Sequence, residues 1–444
     1  MLQGIGSFLA FFVQLFIARK ITPTEFGEFN YYYGIIAFTS IFLVYGFQYS
    51  VSRQKNEKGL EGQVFNSFNL LFLAVSPIAL FVFFKLRISI DICILLILGS
   101  FSFSLLEILR IILTVKLRSS EAIFYKTWLF NFLFLILALT LYQSESTKQP
   151  ILIGFVFSSF LIPLNYYVRK VKKLRFNLDF LIISFPFFLI QLFYSSHLYL
   201  TRILPNYFYS YDIIAGFSVA IIISRIVSLI GTTSSFIMMP YFSDLIKEKK
   251  TAIMIDNFKI IRSLNTLVVI VFYSFIMIFA EPLLSLIGEQ YERFSTALKI
   301  ISSGALITII IGPNGTIILM SNNYLKELNS GLILIITFLT SIVFLGGYNY
   351  LIFPLAFALS ESLSTIYKAL VVKKMFTLKT DFIYYVKCLT ATAINLFVFN
   401  LISSNFYGDI PYLFLALISP ILLFINAVII LRRIHKAKLI KRYL

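Results

Sequence analysis

The chain has 444 residues, of which 59% are hydrophobic, 17% aromatic and 13% charged, and its mean hydropathy is +0.90. A soluble domain carries about 25% charged residues, so this chain has too little charge to cover a water-facing surface, and hydrocarbon is its natural solvent. A net charge of +18 would fit a nucleic-acid partner if the basic residues formed one patch; they are instead dispersed among loops, which excludes that partner.

A helix needs about 20 apolar residues to cross a bilayer. About fourteen such spans follow one another, at 1–19, 29–49, 64–84, 91–114, 122–142, 150–168, 180–204, 212–239, 263–287, 297–320, 328–347, 350–371, 383–404 and 411–432. The first run ends in Arg19-Lys20 without a small-residue cleavage site and reads as a retained helix. No ten-residue alternation of the β-barrel kind is visible. The fold class is therefore all-α, a polytopic membrane protein.

With the N-terminus inside, one set of loops collects most of the basic residues. It holds the run Arg169–Arg175 and Lys247, Lys249, Lys250, Lys373 and Lys374, and the tail from Arg432 to Arg442 joins them. The opposite set holds few, among them Arg87, Lys148 and Arg293. Such a bias orients a chain with both termini cytoplasmic, as expected of an inner-membrane protein. The dense run at 169–175 follows six spans and marks a boundary. The expected organisation is an N-terminal six-helix bundle at 1–175 and a pseudo-symmetric second bundle at 176–379. Two additional helices and a basic tail follow at 380–444. A parallel repeat of this kind places a substrate between two halves.

Ionisable residues within spans mark a path or a site by default. Arg225 stands near the middle of the eighth span, with Ser218, Ser228, Thr232 and Ser235 on the same helical face. A guanidinium there either binds phosphate bidentately or forms a structural ion pair. Glu361 stands mid-span with Ser364, Thr365 and Lys368 on its face. It either neutralises Arg225 or Lys368 or gates the Arg. Gln191, Tyr194, Ser195 and Arg202 share a face of the seventh span, beside His197, a core residue or a proton relay. These residues are candidates for a substrate cavity. Glu107 and Arg110 form a local i, i+3 pair, and Lys126 snorkels outward at the same rim. Gly312-Pro313-Asn314-Gly315 must distort the tenth span, which makes Gly312, Pro313 and Gly315 hinge candidates. Tyr31-Tyr32-Tyr33, at a span end, reads as an interfacial belt.

Two cysteines, Cys93 and Cys388, and two histidines give no zinc spacing and no disulfide framework. No Walker-type phosphate loop appears, and no long loop offers a catalytic constellation. We expect no enzyme activity, no catalytic residues, no metal and no cofactor.

The segment Leu15-Phe16-Ile17-Ala18-Arg19-Lys20-Ile21-Thr22-Pro23-Thr24-Glu25-Phe26-Gly27-Glu28-Phe29 resembles the opening of the Wzx-type polysaccharide flippases. These belong to the multidrug/oligosaccharidyl-lipid/polysaccharide exporter superfamily. Phe185-Pro186-Phe187, Met239-Pro240-Tyr241-Phe242 and Gly288-Glu289-Gln290-Tyr291 extend the resemblance along the chain. Ile21-Thr22-Pro23 departs from the family's usual Leu-Gly-Pro.

The resemblance implies two bundles around an alternately opening cavity. It implies translocation of undecaprenyl-diphosphate-linked oligosaccharide repeat units from the cytoplasmic to the periplasmic leaflet for O-antigen synthesis. The partners it implies are that lipid-linked oligosaccharide, membrane lipids, a polysaccharide polymerase and a chain-length regulator. Arg225 matches the family's cationic cavity contacts by position only. The rivals are a multidrug cation antiporter of the same superfamily, a lipid II flippase, and a membrane polysaccharide polymerase or ligase. The antiporter would need membrane carboxylates, and Glu361 and Glu107 are the only acids well inside the expected spans.

Overall fold

The computed structural model of the chain describes residues 2–53, 60–116, 118–143, 149–170, 178–321, 323–377, 381–405, 421–423, 425–426 and 429. Among these, every regular element is a helix, and 12 helices are long and apolar enough to cross a membrane. The protein is a multi-pass membrane protein.

The helices, in chain order, are α1 (Leu2–Lys20), α2 (Pro23–Val44), α3 (Phe47–Arg53), α4 (Leu60–Lys85) and α5 (Ile90–Val115). A short α6 (Ser119–Ile123) leads through a π-helical turn, Phe124–Leu129, into α7 (Phe130–Gln143). Then come α8 (Pro150–Lys170), α9 (Leu178–Ile203), α10 (Tyr211–Lys247), α11 (Thr251–Ser285), α12 (Ser295–Ile311) and α13 (Asn314–Met320). The series continues with α14 (Tyr324–Leu345), α15 (Ile352–Met375) and α16 (Phe382–Asn405). The fourteenth expected span, 411–432, lies almost entirely outside the described residues, as does most of the basic run at 169–175. Of that span, Asn426 is buried and exchanges amide hydrogen bonds with Asn395 of α16, at 2.7 and 3.4 Å.

The chain divides into two compact units, Met1–Val219 and Ala220–Leu444, with the boundary inside α10. Lipid tails are as apolar as leucine, so membrane helices associate through close packing of small residues and through interhelical hydrogen bonds. Unit 1 shows both devices. The Ser102 and Ser159 hydroxyls join α5 to α8 at 2.6 Å, and a Cβ at Gly99 would meet Ile36 of α2. In unit 2, Gly304 brings α12 against Ala358 of α15, where a Cβ would approach the Ala358 Cα to 2.7 Å. Cys93 and Cys388 are both buried and free.

The start of α2 gives the Thr22–Phe29 motif a physical meaning. Thr22 is the N-cap, Pro23 opens the helix and Glu25 completes a capping box. The Glu25 carboxylate accepts from the Thr22 N–H at 3.0 Å, and the Glu25 N–H donates to the Thr22 hydroxyl at 3.3 Å. Phe26 is buried. A Cβ at Gly27 would overlap the Tyr211 carbonyl, and the Thr24 hydroxyl donates to Asp212 at 2.6 Å. The motif thus starts one helix and holds it against the start of α10.

The second expected span is broken. Tyr45 and Gly46 take left-handed φ values of 47° and 71° and separate α2 from α3. Gly46 is required there, because a Cβ would also strike the Phe187–Phe188 backbone. Tyr31 and Tyr32 are buried among protein atoms, which corrects their reading as an interfacial belt. They face Tyr211, with ring centroids of Tyr31 and Tyr211 5.8 Å apart.

Candidate functional site

The candidate residues divide between the units. In unit 1, Gln191 of α9 accepts a hydrogen bond from the Gly46 N–H at 3.0 Å. Its amide therefore secures the α2–α3 break, a role its cavity assignment did not foresee. Ser218 and His197 are buried, and Tyr194 is half-buried. Arg202 is only 3% exposed, with its guanidinium 4.7 Å from the Tyr33 ring centre. That geometry is a cation–π contact, and desolvation strengthens it. Gly34 permits this approach of α9 to α2, since a Cβ would stand 3.1 Å from the Arg202 Cβ. Arg202, Tyr33, Gln14, Asn30 and Asn131 border a cavity of about 40 Å³, otherwise walled by phenylalanines. It is roomy enough for a water or a small ion and far too small for a sugar.

Unit 1 also contains a charge cluster. The Arg110 Nε donates to Glu107 at 2.8 Å, and a second guanidinium nitrogen reaches Gln48 at 3.2 Å. Lys126 forms an ion pair with the same Glu107. The local Glu107–Arg110 pair stands as read from the sequence, whereas Lys126 turns to a carboxylate instead of snorkelling outward. The π turn at Phe124–Leu129 holds an extra residue per turn, which rotates Lys126 away from where a regular helix would carry it.

In unit 2, Arg225 is exposed although it lies in the apolar span Tyr211–Ser228. It makes no direct ion pair among the described residues; Glu361 acts on it electrostatically at longer range. The Ser228 hydroxyl donates back to the Arg225 carbonyl at 3.1 Å. Thr232 lies on the same helix, its side chain outside the described atoms. Glu361 also acts on Lys368, but the direct ion pair of Lys368 is with Glu327, at 3.1 Å. Glu327 is 4% exposed and is a buried acid of the membrane-length helix α14. Hydropathy concealed it: the Lys326-Glu327 dipeptide reads as loop, yet α14 begins before it, at Tyr324.

The expected distortion of the tenth span is present. α12 ends at Ile311, Gly312 takes a φ of 101°, and α13 begins at Asn314. A Cβ at Gly315 would lie 3.2 Å from both Glu327 Oε1 and Lys368 Nζ, so this glycine makes room for the ion pair. Among the described residues, no group of three or more His, Cys, Asp or Glu could hold a metal ion.

Twelve apolar spans among the described residues, two compact helical units and a broken tenth helix define a polytopic helical membrane protein. No protein-family model matches the chain, and no curated protein does. Solved structures do match. The lipid II flippase MurJ, in an inward closed conformation, superposes with a TM-score of 0.74 at 18% identity, over 98% of this chain and all of its own. An inward-facing multidrug resistance MATE family transporter of the MOP superfamily gives a TM-score of 0.64 at 14% identity, over 84% of this chain and 94% of its own. A MATE structure in complex with MaL6 gives 0.60 at 14% identity, over 85% and 94%. The chain therefore has the fold of MOP-superfamily transporters.

Proposed function

We propose that the protein is a flippase that moves undecaprenyl-diphosphate-linked oligosaccharide repeat units from the cytoplasmic to the periplasmic leaflet by alternating access. In this reading it serves surface polysaccharide synthesis in the inner membrane, with both termini cytoplasmic, beside a polymerase and a chain-length regulator. Two six-helix repeats, 1–175 and 176–379, carry the alternation, and residues 380–444 are an addition to them. A lipid diphosphate cannot cross hydrocarbon unaided, because each charge meets a large desolvation penalty. The carrier must supply fixed donors in place of the lost water.

The observation that carries the reading is Arg225, a guanidinium in an apolar span, exposed and with its carboxylate only at longer range. An Arg at such depth is retained at considerable expense in free energy, and a planar fork fits a diphosphate. Glu361 acts as its resting counter-charge, and the Gly312-Pro313 break supplies the hinge. The fold shared with a structure named as a lipid II flippase agrees with a lipid-linked substrate.

The antiporter reading draws on Glu327, a buried carboxylate of the kind a cation carrier needs, and on the likeness to multidrug transporters. One experiment separates the two. In proteoliposomes, the protein should expose a fluorescent polyprenyl-diphosphate oligosaccharide to a membrane-impermeant quencher, and Arg225→Ala should abolish this at unchanged protein level. Efflux of cationic drugs without flipping would reverse the ranking, and full flipping by Arg225→Ala would remove Arg225 from the mechanism.

A further inference from the structure

We propose that unit 2 carries a binding site for an anionic membrane phospholipid, walled by α11, α12, α15 and α16, with Arg262 as the headgroup receptor. A cavity of about 500 Å³ opens between these four helices. Its walls are apolar, with Ile307 and Ile310 from α12, Ile366 and Leu370 from α15 and Leu389 from α16. Its polar end is formed by Arg262, Lys373 and Asp381. All four helices are long and apolar enough to cross a membrane, which would place acyl chains alongside the apolar part.

Arg262 is a buried cation with incomplete satisfaction. It is 8% exposed. Its guanidinium lies over Tyr384, 3.8 Å from the ring centre. The Tyr384 hydroxyl is fixed by Thr266 at 2.7 Å, which makes the platform rigid. Asp381 approaches to 3.9 Å, close enough for charge attraction and too far for a hydrogen bond. The Nε has no hydrogen-bond partner. A buried donor left unmade is unfavourable, and the natural complement of a guanidinium edge is an oxyanion that accepts two parallel hydrogen bonds. The stem of Arg262 passes over Gly312, where a Cβ would stand 3.0 Å from its Cγ and Cδ. The receptor therefore rests on the helix break itself.

A free inorganic anion would satisfy Arg262 and leave the isoleucine-lined volume empty. A zwitterionic lipid would fill the volume and bring a second cation to Arg262 and Lys373. A lipid with a net negative phosphodiester headgroup satisfies both ends, taking the guanidinium from Asp381. The site is separate from Arg225 and Glu361, and its occupant is a resident of the bilayer, not the transported lipid.

The test uses the full chain in detergent, with lipid adducts counted by native mass spectrometry and thermal unfolding followed in parallel. The probes are phosphatidylglycerol, phosphatidylcholine, a polyprenyl diphosphate and sodium phosphate alone. Phosphatidylglycerol should bind about tenfold more tightly than phosphatidylcholine, and Arg262→Gln should remove about that tenfold preference. Asp381→Asn, which frees the guanidinium, should strengthen phosphatidylglycerol binding, and this variant decides the matter if Arg262→Gln does not fold. Equal binding of the two lipids overturns the proposal. So does stabilisation by phosphate alone equal to that by phosphatidylglycerol, or an Asp381→Asn protein with unaltered affinity. Loss of polyprenyl-diphosphate binding in Arg262→Gln would assign the cavity to the transported lipid and also overturn it. Because no transport is measured, a negative flipping assay leaves this result standing, and the converse holds.

Discussion

In unit 1 a single carboxylate, Glu107, serves two cations, Arg110 from its own helix and Lys126 from the π turn. In unit 2, Lys368 forms its direct ion pair with the buried Glu327, while Glu361 acts on both Arg225 and Lys368 at longer range. The first arrangement shares one anion within a partly exposed cluster. The second separates a dry, closed pair from an exposed guanidinium. Charge in a membrane helix must be neutralised, and the difference shows two outcomes of that demand: one consumes its cations locally, and the other leaves one cation exposed with its carboxylate at longer range.

The comparison is broken most directly at Glu327. Its partner Lys368 is largely enclosed, with 15% of its side chain exposed. Glu327→Ala should lower stability by about 3–5 kcal/mol, because a buried charge loses its counter-ion. Thermal unfolding in detergent reads this, and the double variant Glu327→Gln/Lys368→Met should recover most of the loss. Strict additivity of the single changes Glu327→Gln and Lys368→Met in that double variant would show that the pair is not coupled.

Glu107→Ala should have a smaller effect, roughly 3 kcal/mol, at the low end for broken buried pairs. Its side chain is 18% exposed and those of Arg110 and Lys126 are 27% and 30% exposed, so water softens the penalty. An effect larger than that of Glu327→Ala would invert the distinction between the shared and the dry arrangement.

Gly27→Ala comes next. The added methyl must displace the Tyr211 carbonyl, and overpacking of this kind costs about 1–3 kcal/mol. Unfolding by denaturant should report the loss, and Gly62→Ala is the control, since nothing lies within 4 Å of a Cβ there. Equal effects at both positions would mean that helix propensity, and not the α2–α10 approach, sets the outcome.

What is legible in the sequence follows from the range of each determinant. The spans are readable because each needs only about 20 apolar residues in a row, and the Gly312-Pro313 break because its cause is local. The break at Tyr45-Gly46 is hidden, since Phe187, Phe188 and Gln191 enforce it from far along the chain. Lys126 misleads because its direction depends on a π turn that composition does not announce. Gly6 packs against Thr127 at that turn, again a distant contact. Glu327 and Arg262 escape notice because charges near span ends lower the hydropathy that defines the ends. Whether Arg225 receives a diphosphate is chemistry of a ligand, and no pattern in this chain states it.

The mildest change tests whether the family-like motif matters mainly for starting α2. Thr22 stands where the resembling proteins usually have glycine, and here its hydroxyl accepts from the Glu25 N–H. Thr22→Ala should cost about 1 kcal/mol, the usual worth of an N-cap, and Thr22→Gly only a few tenths. Glycine is nearly as good a cap because it leaves the first N–H groups open to water. A Thr22→Gly protein that unfolds at nearly the same temperature as the unaltered chain would explain why the motif tolerates this exchange. A loss in Thr22→Gly as large as in Gly27→Ala would instead place the importance of the motif in the hydroxyl, and would detach it from the approach of α2 to Tyr211.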